Sequence, residues 1–272
     1  MDLSFVDEVV LPRSRDDLPP PSPGTAFLAG GTWLYSQQQP DVTRVVDLTT
    51  LGWPALTVHD DALEIAATCT IDSLAHAEFP EHWTAVPLFR RCAESLVASW
   101  KIWRTATIGG NLALSLPAGA MTTAMCALGG ELTVWTPDGG ARTEAASTFV
   151  VGEGRNTLAP GEIVRSIRIG ETALRGNVAV RKVAYTALGR SGALLVGRRG
   201  DDGVTLTVTA ATVRPSVVHW QGVPTAAEVA AAIDAIPETD WLDDPHGEPA
   251  WRAHVTAVLA EEIRTELAGD AR

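Results

Sequence analysis

Two glycine pairs about eighty residues apart carry the clearest chemistry in this chain, in Phe27-Leu28-Ala29-Gly30-Gly31-Thr32 and in Thr107-Ile108-Gly109-Gly110-Asn111. Each follows apolar residues and precedes short polar side chains. Each therefore reads as a strand ending in a tight turn whose bare N–H groups can face an anion. A phosphate needs close backbone approach, which a Cβ would block, and Thr32, Thr107 and Asn111 add hydrogen-bond donors beside the turns. Two such turns can grip one diphosphate. One isolated Gly-Gly is more simply a hairpin turn or a bulge, and Gly129-Gly130 and Gly139-Gly140 are read that way.

Other site chemistries are excluded by residue type and spacing. Cys69, Cys92 and Cys126 stand singly and far apart, so they form none of the thiolate sets that hold iron–sulfur clusters or structural zinc. The six histidines show no paired ligand spacing and are read as surface or loop residues. Gly152-Glu153-Gly154-Arg155-Asn156-Thr157 lacks the third glycine of a dinucleotide fingerprint and does not join a clear strand to a long apolar helix, so no Rossmann site is assigned there. The net charge of −12 and the lack of a Lys/Arg run argue against a nucleic-acid partner. A bound diphosphate must then be held by backbone dipoles. Acids at the start of the chain, where a secretory signal has bases, make the cytoplasm the expected compartment, and no apolar stretch approaches a membrane span.

The elements that must hold the two turns in place follow an α+β pattern. At 272 residues and 46% hydrophobic the chain can bury a substantial core, and two domains are expected, 1–170 (subdomains about 1–55 and 56–170) and 175–272. The first subdomain holds a strand from Val6 to Leu11, prolines 19–21 and 23, the first turn, and a β-branched run from Val42 to Leu48. The second holds a strand over Leu63 to Thr70, a short helix over Ile71 to Ala77, and a helix over Leu88 to Trp100 with Phe89, Cys92, Leu96 and Trp100 on one side. The second turn, an apolar helix over Met121 to Leu128, and a hairpin entered by Glu131 to Thr136 come next. In the last third, alternation over Val204 to Ala210 predicts a half-buried strand. Thr225 and Glu228 have capping-box spacing ahead of a helix with Val229, Ile233 and Ile236 on one face. Val255, Val258, Leu259, Ile263 and Leu267 form the apolar stripe of a final helix.

Taken with their surroundings, the two glycine motifs resemble the diphosphate-binding loops of the FAD subunit of the molybdenum hydroxylases, the xanthine dehydrogenase and carbon monoxide dehydrogenase family. Further matching landmarks follow in the same order: Pro117-Ala118 before an apolar helix, Phe149-Val150-Val151-Gly152, the run from Pro160 to Ile167, and Trp251-Arg252-Ala253-His254-Val255. The resemblance spans nearly the whole chain and rests on several ordered motifs. It implies a two-part FAD-binding domain of the PCMH/vanillyl-alcohol-oxidase type followed by a small α+β C-terminal domain. It also implies noncovalent FAD, with molybdopterin and 2Fe-2S clusters carried only by partner subunits: a molybdopterin-binding large subunit and an iron–sulfur small subunit. The chain would take electrons from those clusters and pass them to NAD or another acceptor. No catalytic acid or base and no metal ligand is assigned on this chain.

By the same resemblance the cofactor-binding residues are Phe27, Leu28, Ala29, Gly30, Gly31, Thr32, Trp33 and Leu34, then Thr107, Ile108, Gly109, Gly110 and Asn111, with Val97 close by. Val164 would pack near the ring system, and Arg181 or Lys182 would supply a basic residue near the flavin. Two positions depart from the family pattern. Ala120 stands where many members have an aspartate for the FAD ribose, and Trp33 stands where a smaller polar residue is common. A stand-alone flavin oxidase with covalently attached flavin is the first alternative, opposed by the lack of histidine after Gly31. A non-catalytic subunit that has lost FAD is the second.

Overall fold

The computed structural model describes residues 3–269; Met1 and Asp2 of the acidic start, and residues 270–272 at the end of the expected second domain, lie outside the described residues. Strands β1 (Glu8–Val10), β2 (Thr25–Leu28) and β3 (Arg44–Asp47) form a small parallel sheet in the order β1-β3-β2. The central β3 buries Val45 and Val46, as its β-branched run predicts. Because β2 stops at Leu28, the first glycine pair leaves the sheet at its open end.

A second, antiparallel sheet follows. Strands β4 (Leu56–Val58) and β5 (Ala62–Ala66) precede helices α1 (Ile71–Ala75), α2 (Pro87–Ser95), α3 (Trp100–Trp103), α4 (Ile108–Leu114) and α5 (Ala120–Ala127). Next come the hairpin β6 (Glu131–Trp135) and β7 (Ala141–Ala145), then α6 (Ala146–Phe149), β8 (Val150–Gly152), β9 (Arg155–Asn156) and β10 (Ile163–Gly170). The order is β4-β5-β10-β6-β7, with the late strand β10 at the centre. Leu63, Ile65 and Ile167 of this sheet share one core with Phe89 of α2 and Met121 and Met125 of α5. Every residue of α5 is buried, so this helix is internal.

The last third holds α7 (Glu171–Leu174), β11 (Asn177–Val183), β12 (Ala193–Gly200), β13 (Gly203–Thr209), β14 (Ser216–Trp220), α8 (Ala226–Asp234) and α9 (Pro249–Gly269). Its four strands make an antiparallel meander, and the expected capping box between Thr225 and Glu228 starts α8. The α+β class read from the sequence is what the chain adopts. Among the described residues no helix is long and apolar enough to cross a membrane.

Four local expectations are corrected. β13 is buried on both faces, where alternation predicted one. Val204, Leu206 and Val208 face a core with Ile263 and Leu267, while the hydroxyl face meets α5, Thr209 Oγ1 lying 2.7 Å from Thr123 Oγ1. Alternation reports polarity, and a threonine face can be buried where its hydroxyls find partners. The expected helix over Leu88 to Trp100 breaks after Ser95, because Val97 turns left-handed at φ 52°, and Trp100 is 61% exposed in the separate α3. The buried stripe of α9 is Arg252, Thr256, Ala260, Ile263 and Leu267; Val258 is exposed. Gly129-Gly130 ends α5 instead of making a hairpin, Gly129 having φ 60° and Gly130 N–H bonding to the Met125 carbonyl.

The contact between α9 and β12 depends on Gly197, where an added Cβ would lie 2.2 Å from Ile263 Cγ2. Gly197→Ala must displace the Ile263 and Leu267 side chains from their packing on the sheet and is expected to cost about 1–3 kcal/mol. Urea unfolding followed by far-UV circular dichroism should show this as a lower midpoint at unchanged slope.

Candidate functional site

The two glycine motifs meet in one cavity of about 320 Å³, lined by residues 27–34 and Gln39 from one side and by Ala106, Thr107, Gly110, Asn111, Ala113 and Leu114 from the other. They meet because Gly30 has no side chain. A Cβ there would lie 1.9 Å from the Thr105 carbonyl oxygen, so the two backbones are in direct contact. Gly31 has φ 68°, and a Cβ on it would strike the Tyr35 ring at 2.8 Å. The chain then closes a turn through the Tyr35 N–H to the Gly31 carbonyl, at 2.9 Å.

The second pair is not the strand-and-turn expected from the sequence. Gly109 and Gly110 lie in the first turn of α4, whose N-cap Thr107 accepts from the Gly110 N–H at 3.1 Å. The other first-turn donors are also engaged: Ile108 to Cys69 O and Gly109 to Ala67 O, both 2.9 Å, and Asn111 to Thr107 O at 3.0 Å. Helical period separates the motif into two faces. Thr107, Gly110 and Asn111 line the cavity, while Ile108 and Gly109 are buried against the core. A Cβ on Gly109 would lie 2.4 Å from Ala67 Cβ, so this glycine lets α4 pack against the turn that follows β5.

Donors for an anion come from the first loop. Among the described residues, the N–H groups of Gly30, Gly31, Thr32, Trp33 and Leu34 have no protein acceptor, and all five residues line the cavity. Unpaired backbone donors are costly unless water or a ligand meets them. Across the cavity, the Thr107 hydroxyl retains a hydrogen to donate. Asn111 Oδ1 accepts from the N–H groups of Met121 (3.1 Å) and Thr122 (3.3 Å), capping α5 and leaving the amide N–H groups without a protein acceptor among the described residues. No charged side chain lines the cavity. An acidic chain thus keeps its carboxylates out of a pocket walled by N–H dipoles and aliphatic side chains, and the residues present suit a diphosphate flanked by flat apolar groups.

The turn between α4 and α5 is held from outside. Asn156 Nδ2 donates to the Ala113 carbonyl at 2.8 Å, and the Gly154 N–H donates to the Ser115 carbonyl at 3.0 Å. The glycine-rich segment over residues 152–157 is therefore a clip on α4, built on the β8–β9 pair. Gln39, Ala106, Ala113 and Leu114 join the cavity without having been singled out. Only the helical spacing of Leu114 from Thr107 and Asn111 could have signalled one of them.

The remaining candidates, Trp33 apart, are dispersed. Trp33 lines the cavity and is 43% exposed. Val97 caps the end of α2 in a left-handed conformation that a β-branched residue rarely adopts, outside the cavity lining. Val164 is buried in the main core, paired with Val134, and does not line the cavity. Arg181 and Lys182 point to opposite faces of β11, as neighbours in a strand must. Arg181 is bound to Glu262 at 2.8 Å and Glu266 at 2.6 Å on α9. Lys182 lies over the other face, its Nζ 3.4 Å from the Ser95 carbonyl, and burial draws its ammonium below the usual lysine range. Ala120 begins α5 at 1% exposure within the core, so a carboxylate there would be desolvated and not simply added to the cavity. All three cysteines are buried, and burial pushes each thiol up to about 12, which leaves no thiolate nucleophile near neutral pH.

Known proteins resemble this chain in sequence pattern and in fold. A family model described as the FAD binding domain in molybdopterin dehydrogenase matches residues 15–171. No curated protein matches the sequence significantly. Among solved structures, quinoline 2-oxidoreductase from Pseudomonas putida 86 is similar with a TM-score of 0.78 and 18% identity, over 100% of this chain and 99% of that one. Carbon monoxide dehydrogenase from Oligotropha carboxidovorans gives 0.78 and 22%, over 97% and 99%. The carbon monoxide dehydrogenase of Hydrogenophaga pseudoflava, in a form lacking the Mo-pyranopterin moiety of its cofactor, gives 0.76 and 19%, over 95% and 96%. At these identities the likeness is one of fold.

The two faces of α4 make separable demands. Gly109→Ala is expected to destabilise the protein by about 1–3 kcal/mol, because the added Cβ would also lie 2.8 Å from the Ala67 backbone in the turn after β5, which cannot swing aside as a side chain could. Gly110→Ala, whose Cβ would meet only the Thr107 hydroxyl at 2.9 Å, should stay within about 1 kcal/mol of wild type, the better helix propensity of alanine offsetting a strained cap. Equilibrium denaturation of the two variants side by side measures the difference.

Proposed function

The chain belongs to the family of FAD-binding domains of molybdopterin dehydrogenases, and we propose that it is the flavin-carrying electron-transfer subunit of a molybdenum hydroxylase complex. The observation that carries this reading is the run of unengaged N–H groups from Gly30 to Leu34 facing Thr107 and Asn111 across a cavity with no charged side chain. In this reading residues 30–34 hold the diphosphate by backbone dipoles, and Thr107 and Asn111 donate from the other side. Phe27, Leu28 and Leu114 supply apolar walls that exclude water. FAD, when bound, accepts electrons singly and releases them in pairs, while the protein provides binding, orientation and electrostatics.

Electrons would come from iron–sulfur clusters on a small partner subunit, fed by a molybdopterin-binding large subunit where substrate is oxidised, and would leave to NAD or another acceptor. The cytoplasm is the proposed compartment, and a division near residue 175 separates the FAD-binding and C-terminal domains in this reading. Retention of FAD is favoured over a subunit that has lost it because both glycine motifs still line one cavity, with the donors of residues 30–34 not engaged by protein acceptors. Noncovalent attachment is favoured by the residue types present, since no histidine or cysteine lines the cavity. Of the two basic candidates, Lys182 is the one proposed to approach the flavin, because Arg181 is committed to two carboxylates on α9.

Purified protein should carry yellow FAD that acid precipitation releases into the supernatant. Gly110→Val, which places a branched side chain on the cavity face of α4, should weaken FAD at least tenfold in fluorescence titrations. Gly170→Ala, where an added Cβ meets nothing within 4 Å, should not. Full FAD occupancy in a folded Gly110→Val protein would place the site elsewhere.

The basic residues should separate in the same assay. Lys182→Met is expected to weaken FAD by about tenfold, roughly 1.4 kcal/mol, whereas Arg181→Met should leave affinity unchanged and show only in thermal stability. Equal effects on flavin binding would remove the proposed role of Lys182.

A further inference from the structure

Arg252 is among the largest side chains in the molecule with essentially no solvent exposure, at 0%. It stands near the start of α9, and each edge of its guanidinium is used. Nε donates to the Gly247 carbonyl at 2.8 Å, and Nη1 donates to the carbonyls of Gly192 at 2.5 Å and Ala210 at 2.6 Å. Nη2 donates to the Asp244 carboxylate. A buried charge is costly unless its hydrogen bonds are made, and packing alone would be served as well by an apolar residue of similar volume. Three of the four acceptors are main-chain carbonyls on separate segments: the loop before α9, the approach to β12, and the residue just after β13. The side chain therefore fixes backbone.

Ala210 is where this reaches the cavity. It has φ 62°, a left-handed conformation that costs an alanine about 1 kcal/mol and persists where surroundings over-determine it. In that conformation its carbonyl meets Arg252, and its N–H donates to the Pro117 carbonyl at 2.9 Å. Pro117 lies in the turn between α4 and α5. That turn begins one residue after Leu114 and ends at the helix N-terminus that Asn111 caps. The same Nη1 also acts on the hairpin that follows Lys182, since Gly192 returns its own N–H to the Val183 carbonyl at 2.8 Å.

We propose that Arg252 is a positioning residue for the FAD cavity: its guanidinium fixes Ala210 in the left-handed conformation, and the Ala210 N–H then anchors the α4–α5 turn that sets Gly110 and Asn111. The proposal rests on the reading of that cavity as the FAD site. Asp244 keeps the charge paired, and Trp251, against which a Cβ on Gly192 would lie at 2.6 Å, packs beside the same backbone.

Arg252→Met removes every donor at similar volume. Amide exchange in the intact chain should accelerate at least tenfold at Gly119 and Ala210, with the mid-strand amides of Val196 and Leu206 unchanged. The FAD dissociation constant should rise roughly ten- to a hundredfold, the equivalent of one or two lost hydrogen bonds. Unchanged exchange at Gly119 would overturn the proposal, as would FAD affinity within twofold of wild type, or acceleration spread evenly through β12 and β13. If Arg252→Met does not fold, Arg252→Lys, which keeps a charge for Asp244 but cannot serve three carbonyls, is judged by the same criteria. Failure of both to fold would overturn the proposal by making Arg252 a determinant of folding. Wild-type protein that bound no FAD would remove the functional reading instead, and exchange at Gly119 would still decide whether Arg252 positions the turn.

Discussion

A missing Cβ at residue 30 is the constraint on which the cavity depends. Gly30 rests directly on the backbone at Thr105, so the loop after β2 and the segment leading into α4 share a wall with no side chain between them. Any larger residue would separate the parallel sheet from the helical layer by the width of a methyl group, in an interior that is close-packed and does not yield smoothly. Gly109 repeats the device one layer down, where α4 lies on Ala67 at the end of β5. The two glycines thus set the distance between the first loop and the helix, and with it the width of the space between them.

Electrostatics follows from that spacing. A chain with net charge −12 has no basic surface run with which to hold a diphosphate, and the cavity contains no charged side chain. Its donors are main-chain N–H groups of residues 30–34 with the side chains of Thr107 and Asn111. Fixed dipoles need no reorganisation and carry no counter-ion, so the cavity can offer donors to an anion without a charged side chain. Asn111 does two things at once, since its carbonyl oxygen caps α5 while its amide faces the cavity wall. Helix capping and the lining of the cavity are therefore tied to one residue.

The C-terminal sheet is joined to this layer by apolar packing, with Val180, Leu194 and Val196 in the main core, and by polar contacts. The threonine face of β13 meets α5, with Thr209 against Thr123, and Arg198 donates to the Ala127 carbonyl at the far end of the same helix. Buried polar seams of this kind favour one relative arrangement, because sliding would part Thr209 from Thr123 and Arg198 from the Ala127 carbonyl. Unpaired hydroxyls at Thr122 and Thr207 among the described residues lie along the same seam. They mark where it is least completely satisfied.

By itself the sequence determined the α+β class, the β6–β7 hairpin, the capped start of α8, and the two glycine motifs with the family they resemble. These rest on local rules of turn chemistry, capping and periodicity, which neighbouring residues are enough to express. What each glycine does was decided only by tertiary structure: Gly30 and Gly109 are contacts with distant backbone, and nothing within either motif names Thr105 or Ala67. The same holds for Arg181 against Lys182, one residue apart in sequence and opposite in facing: which of them pairs with Glu262 and Glu266 depends on which face of β11 meets α9. Arg252 could be quoted as part of a motif, but its burial could not be foreseen, because a charge belongs inside only where four acceptors converge on it. Those acceptors come from Gly192, Ala210, Asp244 and Gly247, which the chain brings together only once it is folded.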